Sequence, residues 1–133
     1  MNYWLIKTEP GNYSWDDLRK DKQTFWDGVR NYQARNNLKS MKVGDQCLFY
    51  HSVNEKSVVG VVKVVKEFYQ DPTTDDERWV AVDVALDFEI KNPVTLGQIK
   101  SDDRLEQMVL VRNSRLSVQP VKKEEFEIII GME

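Results

Sequence analysis

Polar and apolar residues alternate most cleanly between Val80 and Phe88, where Val80, Val82, Val84, Leu86 and Phe88 are separated by Ala81, Asp83, Ala85 and Asp87. A period of two predicts a strand with one face in the core. Apolar runs at Tyr3 to Lys7, Cys47 to Tyr50 and Val58 to Val65 predict three more strands. Pro10-Gly11 stops the first, and Gly60 inside the third fits a bulge or a barrel corner. A helical spacing begins at Asn31: Ala34, Leu38 and Met41 share one face, Asn31, Arg35 and Lys39 another, until Val43-Gly44-Asp45 ends the pattern. Ser14 with Asp17 three residues on reads as a capping box that opens a shorter helix. Asp27-Gly28 reads as a turn and Asp71-Pro72-Thr73-Thr74 as a loop. Pro93 to Leu96 leads into a short helical or irregular piece, Met108 to Val111 predicts another strand, and Pro120 opens a last helix with Phe126, Ile129 and Ile130 inward. Strands with helices between and around them predict an α+β fold built on a small mixed β-barrel or a strongly curved sheet.

The length of 133 residues, 41% of them hydrophobic, fits one domain over residues 1–133, and no repeat, low-complexity tract or linker divides it. No apolar run approaches the roughly 20 residues that span a bilayer, and Tyr3-Trp4-Leu5-Ile6 shows no signal-peptide pattern. The expectation is a protein of the cytoplasm, or of the nucleus in a eukaryote, with no membrane partner. Cys47 is the only cysteine and lies in an apolar run, so a buried thiol is expected. One histidine with one cysteine supplies neither a zinc ligand set nor a nucleophile–base pair, and no phosphate-cradling glycine loop occurs. No metal, cofactor or catalytic residue is therefore assigned. An enzyme with His51 as general base on a nucleotide or small molecule is one rival reading. An adaptor whose aromatic pocket accepts a protein side chain or metabolite is another.

The balance of 19 basic against 22 acidic residues gives a net charge of −3, which argues against coating nucleic acid through a general positive field. Charge is instead local. Arg30, Arg35, Lys39 and Lys42 gather in one stretch, and Asp71, Asp75, Asp76 and Glu77 in another. Basic residues at a helix start oppose the macrodipole. The run Arg30-Asn31-Tyr32-Gln33-Ala34-Arg35-Asn36 is thus either a capped helix with solvated arginines or an anion site whose amides reach a base edge or the sugar-phosphate chain. Trp79 has the parity of Ala81 and Asp83, out of phase with the apolar stripe. It either packs under a neighbouring helix or walls an open pocket where its ring stacks on a base. Trp26, in a loop before Asp27-Gly28, has the same two readings, with capping of the core the simpler one. A second polar cluster, Arg112-Asn113-Ser114-Arg115-Leu116-Ser117, falls in a turn after the strand expected at Met108.

Five segments resemble the EVE family: Asn2 to Pro10, Tyr13-Ser14-Trp15-Asp16-Asp17-Leu18, Trp26 to Asn36, Leu48-Phe49-Tyr50-His51-Ser52, and Ser114 to Pro120. They follow in order from end to end, and the block Trp26-Asp27-Gly28-Val29-Arg30-Asn31-Tyr32-Gln33-Ala34-Arg35-Asn36 is highly specific. The family belongs to the PUA-like superfamily and is related to YTH domains, which hold a methylated adenine in an aromatic cage. The resemblance implies a PUA-like mixed barrel that binds modified bases of DNA or RNA. By motif position, Trp26 and Trp79 would be cage walls, Lys7 and Thr8 would line the end of the first strand, and Asn31 and Tyr32 at the helix start would contact the base. His51 and Ser52 would close the floor. Arg30, Arg35 and Asn36, with Arg112, Ser114, Arg115 and Ser117 across the opening, would meet phosphates. The short stretch from Tyr69 to Trp79, and Phe126 where many relatives carry tryptophan, point to a compact prokaryotic member.

Overall fold

β1 (Tyr3–Thr8) runs inside the sheet because it has a neighbour on each side: it pairs in parallel with β3 (Gln46–His51) and antiparallel with β6 (Val118–Val121). In the computed structural model, which describes residues 1–133, β4 (Ser57–Gln70) and β5 (Val80–Thr95) form a long antiparallel ribbon beside β3, and β2 (Gln23–Trp26) pairs with β5. The order is β2-β5-β4-β3-β1-β6. Its two end strands do not pair with each other, so the sheet is open and mixed, and the expected closed barrel is corrected to a six-stranded sheet. Helix α2 (Tyr32–Ser40) packs against both β5 and β6, and Asn37 Nδ2 donates to Val118 O at 2.7 Å. The helix thus covers the seam that a barrel would close by strand pairing.

The ribbon shifts register at several points, including between Val58 and Gly60 and between Val61 and Val62. A bulge bends and twists a strand pair and re-aims its side chains. Accordingly Val62 and Val64 face one core while Val58 and Val61 face the other. The alternation predicted for β5 holds through Val84, but Phe88, expected in the core, sits at the shifted register and is 36% exposed.

One core lies under α1 (Trp15–Asp21) and α2, which contribute Trp15, Leu18, Ala34 and Leu38. The other lies under α3 (Leu96–Lys100), a 3-10 turn at Asp103–Leu105, α4 (Val109–Arg112) and α5 (Lys123–Gly131). Both helices of the first layer start as the sequence predicts. Ser14 caps α1 in a capping box with Asp17, and Asn31 Oδ1 accepts from Ala34 N at 2.9 Å to cap α2. Gly60 admits Trp15: a Cβ there would lie 2.2 Å from the indole Cη2. Cys47 is buried, and burial, then the charge of Asp45, pushes its thiol well above the ordinary range.

Three expectations are corrected. Met108 to Val111 is not a strand but the start of α4, because its apolar run is too short for periodicity to separate strand from helix. Pro120 lies in β6, an edge strand where a missing N–H is tolerated, and the last helix begins at Lys123. Trp26 ends strand β2 rather than standing in a loop.

Candidate functional site

Where the end of β1 faces β2, the chain encloses a cavity of about 530 Å³. Lys7 and Thr8 come from β1, Asn12 and Tyr13 from the turn before α1, Thr24, Phe25 and Trp26 from β2, Asp27 to Arg30 from the following segment, and Ser117 from the approach to β6. Trp26 is 8% exposed and held edge-on between Phe49, at 5.5 Å, and Tyr13, at 6.3 Å. The core fixes the ring while the ring lines the cavity. Phe25, 46% exposed, adds a second aromatic surface. Thr8 Oγ1 donates to Tyr13 O at 2.8 Å, which braces the end of β1 against the turn. Burial first, then the neighbouring Asp21 that accepts its hydroxyl, pushes Tyr13 up to about 12, so it stays a protonated donor.

The segment from Gly28 to Arg30 is clamped by a carboxylate that the sequence did not single out. Asp71, whose side chain is 0% exposed, accepts from Gly28 N at 2.8 Å, Arg30 Nη1 at 3.0 Å, and both the N–H and hydroxyl of Thr73. Burial alone would raise this acid, but the bonds from Thr73, Gly28 and Arg30 outweigh it and hold the carboxyl down at about 2. Gly28 reaches the clamp with φ at +74°, a conformation that favours glycine. Asp71 stands in an acidic stretch and opens an Asp-Pro-Thr-Thr loop, so its sequence signal is that of a solvated turn.

Trp79 does not line this cavity, and the expectation of two indoles facing each other across one hollow is corrected. Asp71 N donates to Trp79 O at 2.9 Å and Trp79 N donates to Asp76 O at 3.2 Å. The loop closed in this way sets the half-buried indole on Tyr32, with centroids 5.2 Å apart, and under the guanidinium groups of Arg30 and Arg78 at 5.6 and 5.9 Å. Tyr32 accepts from Arg78 Nη1, and Arg35 lies over the Tyr32 ring and donates to Asn36 Oδ1 and Arg78 O. Asn31, Tyr32, Arg35 and Asn36 therefore belong to this external stack and the helix cap, outside the cavity lining.

His51 is also corrected: it does not floor the Trp26 cavity but lines a separate hollow with Trp15 and Glu89. Its Nε2 accepts from Trp15 N at 3.1 Å, and burial keeps it neutral, with a pKa below the ordinary histidine value despite Asp16 nearby. Ser52 donates to Thr8 O and lines a second hollow of about 350 Å³ that shares Lys7, Thr8 and Ser117 with the first. Ser114 and Arg115 line that second hollow, whereas Arg112, exposed at the end of α4, lines neither. No group of three or more His, Cys, Asp or Glu side chains is placed to hold a metal ion, and no helix is long and apolar enough to cross a membrane.

The cavity thus offers a flat apolar wall, hydrogen-bonding groups at its edges from Asn12, Thr24 and Asp27, and a cation at each side in Lys7 and Arg30. Its volume falls within the roughly 300–1,000 Å³ of small-ligand sites. Known proteins share the fold. The crystal structure of a protein from Agrobacterium tumefaciens superposes with a TM-score of 0.95 at 43% identity, covering 99% of this chain and 92% of that one. The structure of human THYN1 protein in complex with 5-methylcytosine-containing DNA superposes with a TM-score of 0.92 at 35% identity, covering 99% and 97%. Thymocyte nuclear protein 1 of Mus musculus is 39% identical over 166 aligned positions, covering 99% of this chain and 74% of the mouse protein. The family model described as EVE domain matches residues 2–132, and with the fold and these relatives in agreement, the chain belongs to the EVE domain family.

Proposed function

We propose that this domain reads a modified nucleobase, extruded from a nucleic-acid strand into the Trp26 cavity, and releases it chemically unchanged. The observation that carries this reading is the hollow whose apolar wall comes from Trp26 and Phe25 and whose charged flanks come from Lys7 and Arg30. The DNA named for the human THYN1 structure contains 5-methylcytosine, which makes a methylated cytosine in DNA the first ligand to test. RNA carrying a modified base, and a cage of the YTH kind, are finer readings in which the same wall serves.

In this reading the base stacks on the aromatic wall, worth about 1–3 kcal/mol, and Asn12, Thr24, Asp27 and Thr8 meet its polar edge. Burying one methyl group adds about 0.8 kcal/mol, close to a fourfold preference over the plain base. Extrusion from a duplex costs a few kcal/mol, so single-stranded or mismatched sites bind better than a perfect helix. Arg30, Arg35, Asn36, Arg112, Ser114, Arg115 and Ser117 meet the backbone, and the Trp79–Tyr32 stack supports a neighbouring nucleotide outside the cavity. Asn31 acts through the start of α2, Ser52 through Thr8, and His51 through α1, none of them touching the base.

Fluorescence titration of matched oligonucleotides containing 5-methylcytosine or cytosine tests the reading. The wild-type chain is expected to prefer the methylated strand by a few-fold, and Phe25→Ala to lose that preference while remaining folded. Equal affinity of the wild-type protein for both strands, across single-stranded and mismatched forms, would falsify it for this base.

A further inference from the structure

The second hollow of about 350 Å³ differs in character from the first. Three cations border it, Lys7, Lys56 and Arg115, against one acid, Glu9, whose carboxylate already accepts from Asn12 at 3.4 Å. None of the three cations takes part in an ion pair. Lys7 donates to Ser114 O and lies 5.7 Å from the centroid of the Tyr50 ring. Burial, then the charge of Lys56, pushes the Lys7 ammonium below the ordinary lysine value. Like charges held together without a counter-charge oppose folding, and a bound anion relieves them. Charged donors beside hydroxyls, here those of Ser114 and Ser117, favour phosphate oxygens.

Position supplies the second half of the argument. Lys7, Thr8 and Ser117 form a wall common to both hollows, so an anion held in the second stands one residue's thickness from the Trp26 cavity. We propose that the hollow lined by Lys7, Lys56 and Arg115 is a phosphate site, placed to hold the phosphate of the nucleotide whose base enters the Trp26 cavity. The inference rests on the base-reading function for the identity of that nucleotide, and on the cluster of cations alone for the anion. The ligand unit is then a nucleotide rather than a nucleoside: the phosphate fixes which way the sugar points and therefore which edge of the base meets Asn12 and Asp27.

Two titrations of the ¹⁵N-labelled full chain, followed by amide shifts, separate the parts. With inorganic phosphate, the amides of Lys56, Ser114 and Ser117 are expected to shift and saturate, and Lys56→Ala to weaken that binding severalfold. With 5-methyl-2′-deoxycytidine and its 5′- and 3′-monophosphates, one monophosphate is expected to bind about tenfold tighter than the nucleoside. Lys56→Ala should abolish that gain and leave the nucleoside affinity unchanged, since Lys56 does not line the first cavity. Which monophosphate gains identifies the side of the sugar that faces the hollow. Inorganic phosphate that moves none of the three amides overturns the anion site, whatever the nucleoside does. Monophosphates that bind no tighter than the nucleoside overturn its link to the base cavity. A phosphate response with no nucleoside binding in either form sinks the base reading and leaves the anion site standing.

Discussion

Trp26 and Trp79 are both indoles at strand ends in the same half of the sheet, one closing β2 and the other preceding β5, yet they stand in opposite physical situations. Trp26 is held by other aromatic residues of the core and lines a hollow. Trp79 is held by a loop and by cations, and it lies on the outside of α2. A pocket wall needs a rigid backing on one side and empty volume on the other. Only Trp26 has both. The lesson is that residue type and strand parity mark a tryptophan as unusual, while the opposing elements decide whether it encloses anything.

The widest separation between the two should appear in stability. Trp26→Ala is expected to cost about 3–5 kcal/mol, as for other buried aromatics, and Trp79→Ala, only half-buried, about 1 kcal/mol, the worth of an aromatic pair. Urea unfolding of both variants checks this, and equal midpoints would erase the distinction. Next comes the clamp that joins the two regions. Asp71→Ala leaves Arg30 and Gly28 N–H without their acceptor and is expected to cost about 3 kcal/mol and to weaken base binding. The wild-type contribution depends on pH. Asp71 is depressed to about 2 in the folded protein, so its stabilisation is fully present above the ordinary carboxylate value and is lost as pH falls from about 4 to about 2. The loss integrates to roughly 2 kcal/mol, and unfolding curves across that range should be flatter for the variant.

Binding sharpens the contrast at a smaller scale. Phe25→Ala is expected to reduce affinity for a methylated strand about tenfold, whereas Trp79→Ala should weaken methylated and plain strands alike, by about threefold. If Trp79→Ala alone removed discrimination, the cavity would not be where the modification is read. The smallest effect concerns His51, which is held neutral while accepting from Trp15 N. Because its folded pKa is lowered, stability declines as pH drops below about 6.5, where the unfolded chain takes up a proton that the folded one refuses. His51→Gln, which retains an acceptor, should flatten the melting temperature between pH 7.5 and 5.5.

What was legible in the sequence followed the strength of each local signal. β1, β3 and β4 announce themselves through apolar runs, β5 through its alternation, and the caps at Ser14 and Asn31 through side chains that bond within three residues. β2 was missed because Gln23-Thr24-Phe25-Trp26 is four residues of mixed polarity that become a strand only by pairing with β5. β6 was hidden by Pro120, which reads as a helix opener until an edge position makes it harmless. At the site, Lys7, Thr8, Trp26, Arg30 and Ser117, which the family resemblance singles out, line one cavity, while Tyr13 and Asn12 carry no sequence signal of their place in it. Asp71 had no local signature of its role, since its partners Gly28 and Arg30 lie more than forty residues away.

Gly60 carries a consequence for how this molecule can change over time. Its bare α-carbon is the seat of the Trp15 indole, and Trp15 opens the helix that follows directly on Asn12 and Tyr13. Any side chain introduced there would lever α1 outward and drag the rim of the cavity with it. The seat of α1 therefore restrains a position that does not itself line the cavity, one flanked on both sides by valines.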